Sequence, residues 1–265
     1  MDKGQLLRKI TSDEADRLTL ARVLDQLERS RSRNIPASTN FLTPQEQSLA
    51  RVLLDHCGTD GASFAGGYAD AERRILLFLP DYLDPALYAQ DEDYPLCAVR
   101  CTYRPEDRPT HRDFLGSLMG AGIKRETVGD IYVSEGSCDF LVTREILPYL
   151  LQNFLSAGRT KLHVEQLPID QIRVPEQKVK AVRDTVSSLR LDGVVSSGFS
   201  ISRGKAADYI AAGKCELNYA PCMKGDKQAA EGDVITIRGL GKIRLETIGG
   251  STKKGRISIE ITRFL

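Results

Sequence analysis

The side chains with the clearest chemical promise cluster in the carboxy-terminal third: Arg190, then Ser202, Arg203 and Lys205, then Lys214, Asn218, Lys224 and Lys227. Ser202 is a natural helix cap, which places Arg203 and Lys205 in the first helical turn. Free backbone N–H groups and the positive end of the helix dipole at that turn favour a phosphate. Lys214 follows the helix, near a turn expected to bring it back towards the same surface. Fixed donors on a rigid helix and turn recognise RNA by shape, through phosphates and 2′-hydroxyls rather than base identity. A solvated basic helix face is the plainer alternative. It stays open, least for Arg203 and Lys205 and most for Lys214, Lys224 and Lys227.

The charge distribution agrees with an anionic partner. The 265 residues carry 37 Lys+Arg and 36 Asp+Glu, a net charge of +1. Residues 181–265 hold 14 basic and 9 acidic residues, a surplus of 5, leaving 23 against 27 in residues 1–180. The positive charge is thus gathered where the phosphate chemistry is expected. Apolar residues make up 41% and charged residues 28%, a globular composition that on length suggests roughly two domains. No run approaches the roughly 18 apolar residues of a membrane span, and acids stand where a signal peptide would be apolar. The expected location is the cytoplasm, without membrane or DNA partners. Cys97 and Cys101, Cys215 and Cys222, and the separate Cys57 and Cys138 form no CxxC pair, and only His56, His111 and His163 accompany them. That spacing does not suit a structural zinc site, so reduced buried thiols are expected, with no metal and no cofactor.

Four elements in order extend the carboxy-terminal pattern: Arg190-Leu191-Asp192-Gly193, Ser202-Arg203-Gly204-Lys205-Ala206, Ala212-Gly213-Lys214-Cys215-Glu216-Leu217-Asn218 and Glu231-Gly232-Asp233-Val234-Ile235. Together they resemble the S4 RNA-binding domain of ribosomal protein S4, pseudouridine synthases and some tRNA synthetases. Gly204 stands where Ser is commoner, and Ala229-Ala230-Glu231 replaces a Lys-Pro approach to the Gly-Asp turn. Both departures bear on RNA affinity more than on the fold. Further upstream, Gly66-Gly67-Tyr68-Ala69-Asp70-Ala71-Glu72-Arg73-Arg74, His111-Arg112-Asp113-Phe114-Leu115-Gly116-Ser117-Leu118-Met119-Gly120-Ala121-Gly122-Ile123-Lys124-Arg125 and Val128-Gly129-Asp130-Ile131 are similar to the YlmH family. The resemblance spans roughly residues 41–265. It implies binding to ribosomal RNA on the large ribosomal subunit carrying peptidyl-tRNA, in ribosome-associated quality control. His111, Arg112, Lys124 and Arg125 bracket one helix and are candidates for a second RNA contact. The alternative, in which His111 and Asp113 cap the helix and the bases are solvated, stays open.

The elements that must position these residues suggest an α+β fold. Leucines and valines between residues 6 and 27 recur at helical spacing. Thr43-Pro44-Gln45-Glu46 has the cap, first-position Pro and third-position Glu of a helix start. Residues 74–79 and 96–101 read as strands, 114–123 as a helix, 130–133 and 138–142 as a hairpin, 145–154 as a helix and 161–166 as a last strand. This order suits a ferredoxin-like or RRM-like sandwich, in which Tyr132 or Phe140 would be the aromatics considered for base stacking. Residues 168–175 read as a connector or a sheet extension, 176–190 and 199–213 as helical, and the remainder as strands. The organisation expected is therefore a helical region 1–60, a ferredoxin-like domain 61–168 and an S4-type α/β domain 176–265.

Enzyme signatures are weak. His111-Arg112-Asp113 lacks the other kinase elements. Arg190-Leu191-Asp192 matches the motif holding the pseudouridine-synthase nucleophile, but only about 70 residues follow it. No phosphate loop, Gly-x-Ser-x-Gly or HExxH occurs. A non-catalytic RNA-binding protein is expected; the alternatives are a remnant of an S4-containing RNA-modifying enzyme and a protein-docking regulator without RNA binding.

Overall fold

The computed structural model describes residues 3–59, 61–176, 178–252 and 255–265, and the chain separates into two units that meet between Pro175 and Glu176. The first opens with helices α1 (Lys3–Ile10), α2 (Glu14–Arg33) and α3 (Pro44–Cys57). The start expected at Thr43 is a capping box: Thr43 Oγ1 accepts from Glu46 N, and the Glu46 carboxylate accepts from Thr43 N at 2.6 Å. Leu20, Val23 and Leu27 of α2 and Ala50, Leu53 and Leu54 of α3 are buried in one cluster, their spacing of three and four placing each set on one helix face.

Against these helices lies an antiparallel sheet of β1 (Ala37–Ser38), β2 (Ala62–Ala65) and β3 (Ile75–Phe78), with β3 in the centre. The run 74–79, expected to open the ferredoxin-like sheet, belongs to this separate sheet instead. All four residues of β3 are buried. Leu76 and Phe78 pack towards the helices, while Ile75 and Leu77 pack with Phe41, Leu96, Ala98 and Leu141. A strand covered on both faces reads as an unbroken apolar run, which carries no sign of the sheet it joins.

After the short helix α4 (Pro85–Tyr88) come β4 (Leu96–Thr102), α5 (His111–Gly120), β5 (Val128–Ser134), β6 (Ser137–Thr143), α6 (Leu147–Asn153), a small hairpin of β7 (Ser156–Ala157) and β8 (Thr160–Lys161), and β9 (His163–Leu167). The sheet order is β5-β6-β4-β9, antiparallel throughout. This is the ferredoxin-like βαββαβ arrangement, lying within residues 96–167. Helix α5 starts three residues earlier than expected because Thr110 and Asp113 form a capping box. Phe114 and Leu118 of α5 and Leu147 and Leu150 of α6 bury against Cys97, Val99, Phe140 and Val142. Phe140 is therefore core. Residues 168–175 extend no strand: a 3₁₀ turn at Ile169–Gln171 lays Ile169 and Ile172 on the other sheet face. There Gly67, with φ of 79°, approaches so closely that an added Cβ would stand 2.9 Å from Leu141.

The second unit comprises β10 (Val179–Val186), α7 (Leu191–Phe199), α8 (Arg203–Ala211), β11 (Cys215–Leu217), β12 (Ala220–Pro221), β13 (Val234–Ile237), β14 (Gly241–Ser251) and β15 (Ile257–Phe264). The expectation of a helix over 176–190 is corrected: residues 179–186 are a strand paired with β15, Val182 opposite Ile261. Its pairing partner lies some 75 residues on, beyond the reach of any local pattern, and the helix begins at Leu191 instead. Six antiparallel strands in the order β10-β15-β14-β13-β11-β12 carry α7 and α8 on one face. At Gly198 an added Cβ would stand 2.5 Å from Ile243 Cδ1, so α7 sits on the sheet at backbone distance. Val194, Val195 and Phe199 complete that contact with Ile243, Ile259 and Ile261.

Candidate nucleic-acid interface

The second unit gathers its basic residues around one buried carboxylate. Asp192, in the first turn of α7, has a side chain 8% exposed. Arg190 Nη2 donates to its Oδ2 at 2.8 Å, and Arg203 reaches back from the start of α8 to donate to Oδ1 from Nε at 3.1 Å and Nη2 at 2.9 Å. The two arginine side chains remain 38% and 50% exposed. Burial pushes the Asp192 pKa up, but hydrogen bonds and charge from Arg190 and Arg203 outweigh it and hold the carboxyl below its ordinary range. Both arginines are thus fixed in position while part of each faces solvent.

The segment 224–228 closes over the same end of α7. Leu191 N donates to Lys227 O at 2.8 Å and Asp192 N to Gly225 O at 3.0 Å, so these donors of the first turn are satisfied from within. Lys224 and Lys227 are exposed on this segment, and Asp226 adds negative charge near Arg190. Ser202 caps α8 as expected, accepting from Lys205 N at 3.3 Å, and Lys205 and Gly204 are exposed. Arg203 also lines an open groove of about 570 Å³ with Ser196, Ser200, Arg183 and Arg256. Arg256, 53 positions from Arg203 and brought there only by β-pairing, was not foreseeable from spacing. The organising role of Asp192 was hidden for a similar reason, although its Arg-Leu-Asp motif was visible.

Other expected site residues lie elsewhere. Lys214 stands at the opposite end of α8, its ammonium 5.4 Å from the Tyr209 ring centroid. Nine helical residues, about 13 Å of rise, separate that end from Arg203, so the following turn does not return Lys214 to the Arg203 surface. Asn218, exposed and at φ of 52°, spends its amide on the chain itself: Nδ2 donates to Asp233 Oδ1 at 2.8 Å and Oδ1 accepts from Val234 N at 2.9 Å. In the first unit His111, Arg112 and Lys124 are exposed, and Thr110 and Asp113, rather than His111, cap the helix. Arg125 is turned inward, its Nη1 donating to the carbonyls of Val128 and Gly129. Burial, then the neighbouring Arg73 charge, lowers its pKa to about 10. That guanidinium is spent at least in part on holding the backbone together.

The acid behaviour of Asp192 gives a test of the arginine cluster. A carboxyl with a depressed folded-state pKa contributes stability above its unfolded value, about 3.9, and loses it as pH falls through the lower folded value. Thermal melts should therefore show Asp192→Asn losing most against wild type near pH 6, with the gap narrowing below about pH 4. A gap unchanged between pH 6 and pH 3 would show that the carboxylate is not engaged by the arginines.

Cys97, Cys101, Cys138, Cys215 and Cys222 are buried free thiols, and burial pushes Cys215 up to about 12. Among the described residues no His, Cys, Asp or Glu cluster is arranged to hold a metal, and no helix is long and apolar enough to cross a membrane.

Comparison with known proteins gives this architecture its class. The family model described as the putative RNA-binding domain in YlmH matches residues 90–171, the segment that contains the ferredoxin-like sheet. The chain is 32% identical over 226 residues to ribosome-associated protein quality control protein P2 of Bacillus subtilis strain 168, covering 85% of this chain and 86% of that one. The solved structure of cell division protein ylmH from Streptococcus pneumoniae superposes with a TM-score of 0.51 at 21% identity, over 62% of this chain and 98% of that one. It shares the fold. The protein is thus an α+β protein with a segment of the YlmH RNA-binding class. It belongs to the YlmH family.

Proposed function

We propose that the protein is a non-catalytic RNA-binding protein that associates with ribosomes through ribosomal RNA. The observation that carries this reading is the surface around Asp192, where Arg190 and Arg203 are locked by one buried carboxylate, with exposed Lys205 on the first turn of α8 and exposed Lys224 and Lys227 on the segment that caps α7. Pre-set cations lose little freedom on meeting a phosphate chain, and the capped start of α8 adds backbone donors. The resemblance of this unit to the S4 domain, the RNA-binding class matched by residues 90–171 and the ribosome-associated role carried in the name of the Bacillus subtilis relative point the same way. In this reading residues 176–265 are an S4 domain and the ferredoxin-like segment makes a second contact. The target is the large subunit with peptidyl-tRNA, in cytoplasmic quality control of stalled translation. The test is binding to ribosomal RNA stripped of protein. Affinity that falls linearly in log–log with salt supports phosphate recognition. Binding to intact ribosomes but not to the bare RNA would make the partner a ribosomal protein.

A further inference from the structure

A ferredoxin-like domain of the RRM kind reads RNA by stacking bases on aromatic side chains of its open sheet face. Here the chain fills that face itself. Tyr132 is tied through the Tyr68 hydroxyl to Asp130, which also accepts from Glu72 N at 2.7 Å and Arg73 N at 3.2 Å. Leu96, Ala98, Leu141 and Leu167 lie under Phe41, Ile75 and Leu77. Arg173 N donates to Asp139 at 2.7 Å, and Arg100 to Gln171 O at 3.0 Å, drawing residues 171–173 across the remainder. Tyr68 and Tyr132 meet edge to face, 5.7 Å between centroids, and both are partly buried, so the chain's own residues crowd the position a stacked base would take. An RNA held by this segment has to meet another face.

We propose that it meets the edge formed by the start of α5 and the β7–β8 hairpin, where Arg108, Arg112, Arg159 and Lys161 contact the phosphate backbone. This rests on the RNA-binding reading above. The hairpin is docked on the helix: Gly158 N donates to Ser117 Oγ at 2.8 Å, and a Cβ on Gly158 would stand 3.3 Å from Asp113 Oδ1. Arg159, the next residue, therefore follows a backbone position docked on the first turns of α5, the helix whose second residue is Arg112. All four cations are exposed, and none of them, among the described residues, is held by an ion pair with a partner in the chain. Of the nearby acids, Asp113 is engaged in the capping box with Thr110, while Glu106 and Asp107 sit on the turn before Arg108. Beyond Arg112 the outer side of α5 carries Gly116 and Gly120, both exposed with open space where a Cβ would stand. Glycine weakens an exposed helix interior relative to alanine, and here it leaves the cations standing above a bare surface that a sugar-phosphate chain can approach.

The experiment is binding of the full-length protein to purified ribosomes across a salt series, comparing wild type, Arg112→Ala/Arg159→Ala, Arg112→Lys/Arg159→Lys and Arg203→Ala/Lys205→Ala. The first variant should bind on the order of 10-fold or more weakly at low salt, with a slope of log affinity against log salt shallower by about 1.4–1.8 for two lost phosphates. The lysine variant should recover that slope, since a phosphate contact accepts either cation, and the melting temperatures of the two Arg112/Arg159 variants should not move. Unchanged affinity in the alanine variant, with the Arg203/Lys205 variant weakened, would overturn this surface while leaving the RNA-binding reading in place. Unchanged affinity in both would remove that reading as well. Weaker binding at an unchanged slope would mean a protein contact and would also overturn the proposal.

Discussion

Replacing Arg203 and Lys205 with alanine is expected to weaken ribosomal RNA binding by on the order of 10²-fold at low salt, while the protein remains folded. Lys205 is exposed at the third position of α8, so its loss should remove about 1–3 kcal/mol of phosphate contact and little stability. Arg203 does two things, facing solvent with half its side chain while donating twice to Asp192. Its replacement should therefore weaken binding and also leave the buried carboxylate with Arg190 alone, a loss visible as a lower melting temperature. The single variants separate the effects: Lys205→Ala should change affinity and salt slope but not the melt. An RNA affinity within twofold of wild type for both single variants would show that the capped start of α8 does not touch the ligand.

The second large effect falls on stability. Asp139→Ala should destabilise the first unit by about 3–5 kcal/mol, because it breaks a pair taken out of water. Asp139 is 2% exposed and receives Arg100 Nε at 2.7 Å, Arg100 Nη2 at 2.6 Å and Arg173 N at 2.7 Å. Removing the carboxylate leaves the Arg100 side chain, 15% exposed, with only the Gln171 carbonyl, and takes away the acceptor of Arg173 N that helps hold the residues across the sheet. Against a typical total of 5–15 kcal/mol, the urea midpoint should fall by a large fraction of its value. Since a buried pair is often no more stable than apolar residues of similar size, Arg100→Met/Asp139→Leu should recover much of the loss. A shift under about 1 kcal/mol in the single variant would mean that the pair is effectively solvated.

The limits of the sequence as a guide follow from particular residues. Capping boxes and hairpins are local, so Thr43–Glu46 and the strands on either side of Glu135-Gly136 could be read directly. The α+β class was legible from the order of helical and strand-like runs, and the YlmH resemblance from motifs such as Gly66-Gly67-Tyr68 and Val128-Gly129-Asp130, whose roles in a close approach and a tie through the Asp130 carboxylate only the structure shows. What could not be read depends on partners far away in the chain. Strand β3 is covered on both faces and so shows no alternation, and β10 is a strand because the end of the chain pairs with it. In the interface, the cap at Ser202 and the exposed Arg203 and Lys205 could be placed from local pattern. Charge alone could not distinguish the inward Arg125 and the far-end Lys214 from exposed cations of the Arg203 surface, since a guanidinium spent on backbone carbonyls has the same letter as one facing solvent.

The most direct test of the central claim is sedimentation of the protein with ribosomes over a range of salt, wild type beside Arg203→Ala/Lys205→Ala. The account predicts that wild type co-migrates at low salt and is released as salt rises, with the variant released earlier and along a shallower slope. Co-migration equal in the two proteins at every salt concentration would contradict it.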